Sequence, residues 1–191
     1  MLILEGADHL GKTTLAKSLK LRYEHMGIPE SGFDYYRDYL YPITPHVVAD
    51  RFHLGAMVYG HLLKLHPVCP EFQSIHDAVD YEIKRDCNMF VIYTSDESWY
   101  HDHLTKGGKD EAYKVADIMK ANRLFPAIAP DWAITIDIKN GAFEQVRRTM
   151  ELVLGKDSAT WGHKLRTTVS QSRIARGGWS SLENGPEWRG Q

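Results

Sequence analysis

Nine residues near the start of the chain constrain its fold more than any other feature. The stretch Gly6–Thr14, GADHLGKTT, follows the apolar run Leu2–Glu5 and precedes a helix-like run. It fits the pattern G-x-x-x-x-G-K-T of the phosphate-binding loop (P-loop), in which backbone N–H groups point at one anion. The glycines permit the tight turn, and the following helix directs its positive end at the same point. The sequence therefore predicts a nucleoside triphosphate site.

Individual side chains of this loop have expected roles. Lys12 supplies a cation for the outer phosphates, and the Thr13 hydroxyl can ligate Mg²⁺. Asp8 either faces a hydroxyl group of the molecule that would accept a phosphoryl group, or stabilises the turn as an Asx cap. The residues predicted to bind the triphosphate are Gly6, Ala7, Asp8, His9, Leu10, Gly11, Lys12, Thr13 and Thr14.

The length, net charge and cysteine content of the chain are those of an ordinary globular domain. Its 191 residues suit one domain, and a net charge of −2 indicates no particular partner. The two cysteines, Cys69 and Cys87, lack metal spacing and indicate a reducing compartment. No apolar run approaches the roughly 20 residues that span a bilayer, and a strand beginning at Leu2 leaves no room for a signal peptide. We expect a cytoplasmic protein that makes no membrane contact.

Apolar runs separated by turn signals alternate between strand and helix character. Strands are predicted over 2–5, 33–36, 47–50, 89–93 and 132–138, and helices over 12–25, 53–65, 72–83, 109–124 and 143–154. This alternation predicts an α/β fold, a parallel sheet covered by helices on both faces. Ligands of such sheets bind at the carboxyl ends of the strands, where Glu5, Asp50 and Ser95–Asp96 lie. We expect these ends to form one crevice.

The pair Asp50–Arg51 is the best candidate for a second half of that crevice. Asp50 could hold Mg²⁺ through water or accept a hydroxyl proton, and the Arg51 fork matches phosphate oxygens. An ion pair at the rim of the sheet is the structural alternative. Because a phosphate-binding loop lies nearby, we favour a functional role for this pair over the ion pair. We predict Lys12, Asp50 and Arg51 as catalytic residues, and Thr13 and Asp50 as metal ligands.

Two flanking segments carry weaker signals. Arg37, in the aromatic-rich stretch 33–41, could capture an acceptor phosphate, and a surface strand accounts for it equally well. Lys106 and Lys109 lie in a charged, glycine-containing segment that suits a lid near 98–112, or a plain exposed turn. The alternation of His101 and His103 around Asp102 does not fit a zinc pair, and predicts a solvated loop.

The C-terminal segment 161–191 differs from the rest of the chain. It holds five basic and two acidic residues together with Trp161, Trp179 and Trp188, and has little periodicity. We interpret residues 1–160 as a nucleotide kinase core and 161–191 as a tail, which either wraps around the core or forms a basic arm that contacts DNA.

Together these motifs resemble the thymidylate kinase family of nucleoside monophosphate kinases. The family signature E-G-x-D-x-x-G-K-T-T stands here as residues 5–14, and its Asp-Arg-aromatic turn as residues 50–53. The resemblance extends to about residue 154. It implies a P-loop kinase fold with five parallel strands in the order 2-3-1-4-5, and a homodimer. It also implies that acceptor binding involves Asp8, Arg37 and Arg51.

The chain departs from this family in several places. His9 stands where some members carry a catalytic arginine, and lysines stand where others carry arginines in the lid. The Ala-Tyr-Gln segment, whose glutamine helps to read thymine, is MVYGH at 57–61, and the Arg-Glu-Pro motif is Arg37-Asp38-Tyr39. The tail has no counterpart in the family. Such drift and such a tail are similar to those of bacteriophage enzymes, which would place the protein in the host cytoplasm.

Three functions are consistent with the sequence. The leading hypothesis is a kinase that uses ATP and Mg²⁺ to phosphorylate a deoxynucleoside monophosphate, thymidylate-like in type. The second is a phage kinase acting on 5-hydroxymethyluracil in DNA, with Asp50 as general base and the tail holding the DNA. The third is a nucleotide-dependent switch, which is disfavoured because no guanine-reading N-K-x-D is present and Asp50–Arg51 would have no role.

Overall fold

The computed structural model describes residues 1–19, 21–26, 39–40, 43, 46–62, 70–106, 114–139 and 143–155. Strands and helices follow one another through these ranges in an α/β arrangement. The strands are β1 Leu2–Gly6, β2 Arg22–His25, β3 Val47–Asp50, β4 Asn88–Tyr93 and β5 Ile134–Asp137. The helices are α1 Lys12–Ser18, α2 His53–Leu62, α3 Pro70–Ile83, α4 Glu97–Lys106, α5 Val115–Ile128 and α6 Phe143–Leu154.

The strands form one parallel sheet in the order β2-β3-β1-β4-β5, flanked by the helices. This confirms the predicted fold class and strand order. The register places Leu4 and His25 opposite Asp50, and Gly6 opposite Ile92. Because all strands run in the same direction, the ends of β1, β2 and β3 meet at the edge of the sheet where the P-loop begins.

The burial of the three central strands, β3, β1 and β4, indicates that the sheet is covered on both sides. Every residue of β1 and β3 is buried, as are residues 89–92 of β4. Such strands are continuous apolar runs instead of alternating ones, which is typical of a parallel sheet between two layers of helices. Among the described helices, none is long and apolar enough to cross a membrane.

The segment after the P-loop differs from the prediction. The helix expected over 12–25 ends at Ser18, and Arg22–His25 is a strand that pairs in parallel with β3. The residues between carry no Gly or Pro to mark the break, and Leu15 and Leu19 keep helical spacing. Pairing with β3 outweighs this local preference. The strand predicted over 33–36 lies outside the described residues.

The region around His101 and His103 also differs. Both residues lie on α4 and are exposed, in a helix where a solvated loop was expected. The Asp96 carboxylate accepts the Trp99 N–H at 3.0 Å and so caps the start of this helix. An aspartate directly before Glu97 is the helix-start signal that identifies α4.

Candidate active site

The P-loop connects β1 to α1 through two glycines that both have positive φ. Gly6 has φ 135°, and a Cβ added there would lie 2.1 Å from the carbonyl oxygen of Ile92. Gly11, with φ 74°, immediately precedes the first residue of α1. Side chains at these positions would meet a neighbouring strand or an unfavourable backbone conformation, so the turn depends on both glycines.

Lys12 lies inside the loop and not on its surface. Its side chain is buried, and Nζ donates a hydrogen bond to the Ala7 carbonyl oxygen at 2.6 Å. Burial lowers the pKa of Lys12, while the carboxylates of Asp8 and Asp50 act in the opposite direction. The loop thus encloses an amine that can exchange a carbonyl partner for phosphate oxygens.

Thr13 and Asp50 connect the first turn of α1 to the end of β3. The Thr13 hydroxyl donates a hydrogen bond to Asp50 Oδ2, and the Tyr23 hydroxyl donates to the same oxygen at 3.1 Å. Asp50 Oδ1 is buried and has no hydrogen-bond partner among the described residues. A hydroxyl beside a carboxylate with an unsatisfied oxygen is a donor set that fits Mg²⁺, which prefers hard oxygen ligands. The two predicted metal ligands are therefore adjacent.

Arg51 follows Asp50 in a strained turn. Its φ is 68°, and its N–H donates to the Leu4 carbonyl oxygen at 3.0 Å, which ties the turn to β1. The guanidinium forms an ion pair with Asp8 Oδ1 and lies 5.5 Å from the centre of the Tyr59 ring. A bulky residue in the left-handed region costs free energy and recurs at functional sites.

The Asp8 side chain takes a role that neither sequence interpretation included. It is buried and pairs with Arg51, so its charge is compensated by the turn after β3. This contact joins the P-loop to the Asp50–Arg51 turn directly. The sequence predicts that Asp8 and Arg51 lie at the same site, but it does not predict a contact between them.

Two tyrosines that sequence reasoning missed hold the main chain of Asp8. The Asp8 N–H donates to the Tyr59 hydroxyl of α2 at 3.1 Å, and the Tyr100 hydroxyl of α4 donates to the Asp8 carbonyl oxygen. Burial raises the pKa of both phenols, so they are neutral donors and acceptors. Tyrosines on helices usually fill a core, and nothing in their spacing indicates this contact.

Strand β2 contributes two further residues that were missed because a helix was predicted there. Tyr23 contacts Asp50 as described, and His25 Nδ1 lies 3.7 Å from Asp50 Oδ2. Their rings stack with centroids 6.5 Å apart. Residues two apart share one face of a strand, so the spacing of Tyr23 and His25 is the signal that could have identified them.

Glu5 and Ser95 lie at the ends of strands and form hydrogen bonds with residues outside the P-loop. Glu5 Oε1 accepts the Gly55 N–H at 3.1 Å at the start of α2, and burial raises its pKa to about 7. Its partners are main-chain amides at and just before the start of α2. Ser95 donates from its N–H and its hydroxyl to Asp137, at 2.8 and 2.6 Å.

Of the remaining predicted site residues, Lys106 is the one that the structure describes. Lys106 ends α4, is exposed and forms an ion pair with Asp102 at 3.7 Å. Residues 98–106 of the expected lid are helical, and the lid itself stays a prediction. Arg37, Lys109 and the 161–191 tail lie outside the described residues.

The fold is found among solved structures. The chain is similar to the YorR protein of Bacillus subtilis, whose crystal structure is in complex with phosphorylated GDP. The two chains superpose with a TM-score of 0.61 and 20% sequence identity, over 80% of this chain and 92% of that one. No family model and no curated protein matches this chain by sequence. The likeness is therefore one of fold, and it agrees with the five-stranded parallel sheet.

Proposed function

We propose that this protein is a P-loop kinase that transfers the γ-phosphoryl group of ATP to a deoxynucleoside monophosphate, thymidylate-like in type. The observation that carries the proposal is the pair of contacts between the P-loop and the turn after β3. Thr13 is bonded to Asp50, and Asp8 is paired with Arg51. The predicted phosphate-binding loop and the arginine fork are therefore in direct contact, which supports transfer between two phosphates held close together.

The donor half of the site consists of the loop and its lysine. Residues 6–14 would bind the triphosphate with backbone N–H groups, and Lys12 would neutralise charge on the outer phosphates. Lys12 is buried, which strengthens its interaction with an anion because little water competes. The phosphorylated GDP bound by the structurally similar YorR protein supports a nucleotide ligand for this fold.

Thr13 and Asp50 would hold magnesium, which neutralises phosphate charge and orients the transferred group when it is bound. The donor set supports this assignment, since the Asp50 carboxylate keeps one buried oxygen without a hydrogen-bond partner among the described residues. Tyr23 donates to the other oxygen and so fixes the orientation of the carboxylate.

The acceptor half of the site is Arg51, held by Asp8. A guanidinium binds phosphate through parallel N–H donors, and Asp8 keeps it pointed at the loop. The carboxylates near the crevice favour a phosphate acceptor over a hydroxyl one. A hydroxyl acceptor needs a base, whereas Asp50 is assigned here to magnesium and Asp8 is paired with Arg51. An ionised phosphate oxygen needs none.

The test is transfer of label from γ-³²P-labelled ATP with Mg²⁺ to a panel of acceptors. The panel contains each deoxynucleoside monophosphate and DNA with and without 5-hydroxymethyluracil. We expect label in a nucleoside diphosphate, and loss of transfer in Lys12→Ala and Arg51→Ala. Arg123→Ala, which removes a surface arginine paired with Glu97, is the matched control and should retain activity.

Two outcomes would overturn the proposal. Label found only in modified DNA would establish the DNA kinase, and truncation at residue 160 would then test the tail as its DNA-binding arm. ATP hydrolysis without any labelled acceptor would favour a nucleotide-dependent switch. The dimer implied by the family resemblance is a separate prediction, which sedimentation would test.

A further inference from the structure

The peptide between Asp8 and His9 is held by a residue that the proposed chemistry does not use. Tyr100 lies on α4, is fully buried, and donates its hydroxyl proton to the carbonyl oxygen of this peptide. Because burial raises the pKa of the phenol, Tyr100 is neutral and can donate its proton. This hydrogen bond connects helix α4 to the P-loop.

The backbone conformation of His9 shows why this hydrogen bond matters. Its φ is 61°, in the left-handed region that residues with a Cβ disfavour. The His9 side chain is exposed, so packing of the side chain does not impose this conformation. Rotation of the Asp8–His9 peptide plane changes φ of His9 and ψ of Asp8 together, and would relieve the strain. The same rotation would turn the Asp8 carbonyl away from Tyr100 and break the hydrogen bond.

The orientation of this peptide bears directly on anion binding. The N–H and C=O of a trans peptide point in opposite directions, so a carbonyl directed at Tyr100 leaves the His9 N–H directed away from α4. A rotated peptide would place a carbonyl oxygen where the N–H was, and a carbonyl oxygen repels phosphate. The other side of Asp8 is already fixed, because its N–H donates to Tyr59 at 3.1 Å.

We propose that Tyr100 is a positioning residue that holds the Asp8–His9 peptide in its phosphate-binding orientation against the strain at His9. The inference rests on the proposed function only in taking the loop to bind the polyphosphate of a nucleotide. It assigns no contact between Tyr100 and the nucleotide.

A double-mutant cycle on ADP binding tests this role. The proteins are the wild type, Tyr100→Phe, His9→Gly and the double variant, and the dissociation constant for ADP is measured by calorimetry. Tyr100→Phe should weaken ADP binding about fivefold, the size of one buried hydrogen bond. Glycine adopts positive φ without a Cβ penalty, so in the His9→Gly background the same substitution should weaken binding less than about twofold.

The cycle separates positioning from mere structural support. If Tyr100 only fills the core, Tyr100→Phe weakens ADP binding by the same factor in the wild-type and His9→Gly backgrounds. The free-energy effects of the two substitutions then add. Val146→Ala, which removes two methyl groups from a buried position of α6, provides a variant of lowered thermal stability whose ADP affinity should be unchanged.

Failure of this inference is distinct from failure of the proposed kinase. Equal ADP affinity in the wild type and Tyr100→Phe, or an equal penalty in the wild-type and His9→Gly backgrounds, overturns the role of Tyr100. A protein that shows the coupled ADP affinities but transfers no phosphoryl group supports the role of Tyr100 and overturns the kinase.

Discussion

The Thr13 hydroxyl donates a hydrogen bond to Asp50 Oδ2, and this contact joins the two sequence motifs of the chain in space. Thr13 lies in the first turn of the helix after the P-loop, and Asp50 ends the strand beside it. The parallel register that sets Leu4 opposite Asp50 brings the two together. The metal-binding and phosphate-binding groups of the proposed site thus depend on the pairing of β1 with β3.

Asp50→Asn should weaken the binding of magnesium at the proposed site. The amide keeps the size of the side chain and one oxygen but removes the negative charge that would bind the cation. We expect the Mg²⁺ concentration for half-maximal activity to rise about tenfold or more, and kcat to fall about 100-fold. A magnesium titration at saturating ATP measures both.

Asp80→Asn is the matched control for that substitution. Asp80 is hydrogen-bonded to His53 at 3.1 Å and to Trp132 at 2.8 Å, so the variant also alters a carboxylate engaged by two partners. Its magnesium dependence should equal that of the wild type even if its melting temperature falls. Equal magnesium dependence in Asp50→Asn and the wild type would exclude Asp50 as a ligand.

Arg51→Lys should impair acceptor binding although it retains the charge. Lysine cannot reproduce the planar fork that matches two oxygens at once. Both residues carry a Cβ and an unbranched stem, so the backbone cost of φ 68° is the same in each. We expect KM for the acceptor to rise about 10- to 100-fold, with KM for ATP within about twofold.

Initial-rate kinetics with each substrate varied in turn check this prediction. Arg123→Lys, which changes an exposed ion pair with Glu97, is the control and should leave both constants unaltered. A parallel rise in KM for ATP would place Arg51 on the donor and not on the acceptor.

Gly6→Ala should be far more disruptive than Gly55→Ala. At Gly6 the added methyl would lie 2.1 Å from the Ile92 carbonyl oxygen, at a φ of 135°. At Gly55 it would lie 3.1 Å from a Glu5 oxygen, in a helix where alanine is favoured. We expect losses in the free energy of unfolding of about 3 kcal/mol or more and of about 1 kcal/mol or less, respectively.

Urea denaturation at neutral pH provides the comparison. Similar stabilities for the two variants would mean that the P-loop accommodates a side chain at Gly6, against the close approach of β4 to this residue.

The fold and the two anchoring motifs could be predicted because their signals are local. The run before Gly6 and the run ending at Asp50 are buried throughout, and parallel strands place their ends at one edge. The contacts within the site could not be predicted, because they depend on side-chain direction between distant residues. Tyr100 meets the Asp8 carbonyl across 92 positions of sequence, and no periodicity encodes such a contact.

The error at β2 has a different cause. Arg22–His25 follows α1 after three residues, and neither Gly nor Pro marks the end of the helix. The structure of this segment is decided by pairing with β3, a partner more than 20 positions away. Tyr23 and His25 were missed for that reason alone, since their assignment to a strand would have placed them beside Asp50.

Glu5 should make the stability of the protein depend on pH near neutrality. Its carboxyl is fully buried, and burial raises its pKa from 4.5 to about 7 in the folded chain. The folded state therefore binds more protons than the unfolded state between these values. Its contribution to stability is fully present below pH 4.5 and is lost as the pH rises through 7, with a total of about 3 kcal/mol.

Glu5→Gln isolates this contribution, because glutamine retains an oxygen to accept the Gly55 N–H and cannot ionise. The free energy of unfolding, measured from about pH 5 to about pH 8, should fall more steeply in the wild type than in the variant. The difference between the two curves should grow across this interval and level off above it, since Glu5 is then ionised in both states. Parallel curves would mean that Glu5 ionises at its ordinary pKa, and that the buried carboxylate is compensated by Lys12, whose charge acts to lower the Glu5 pKa.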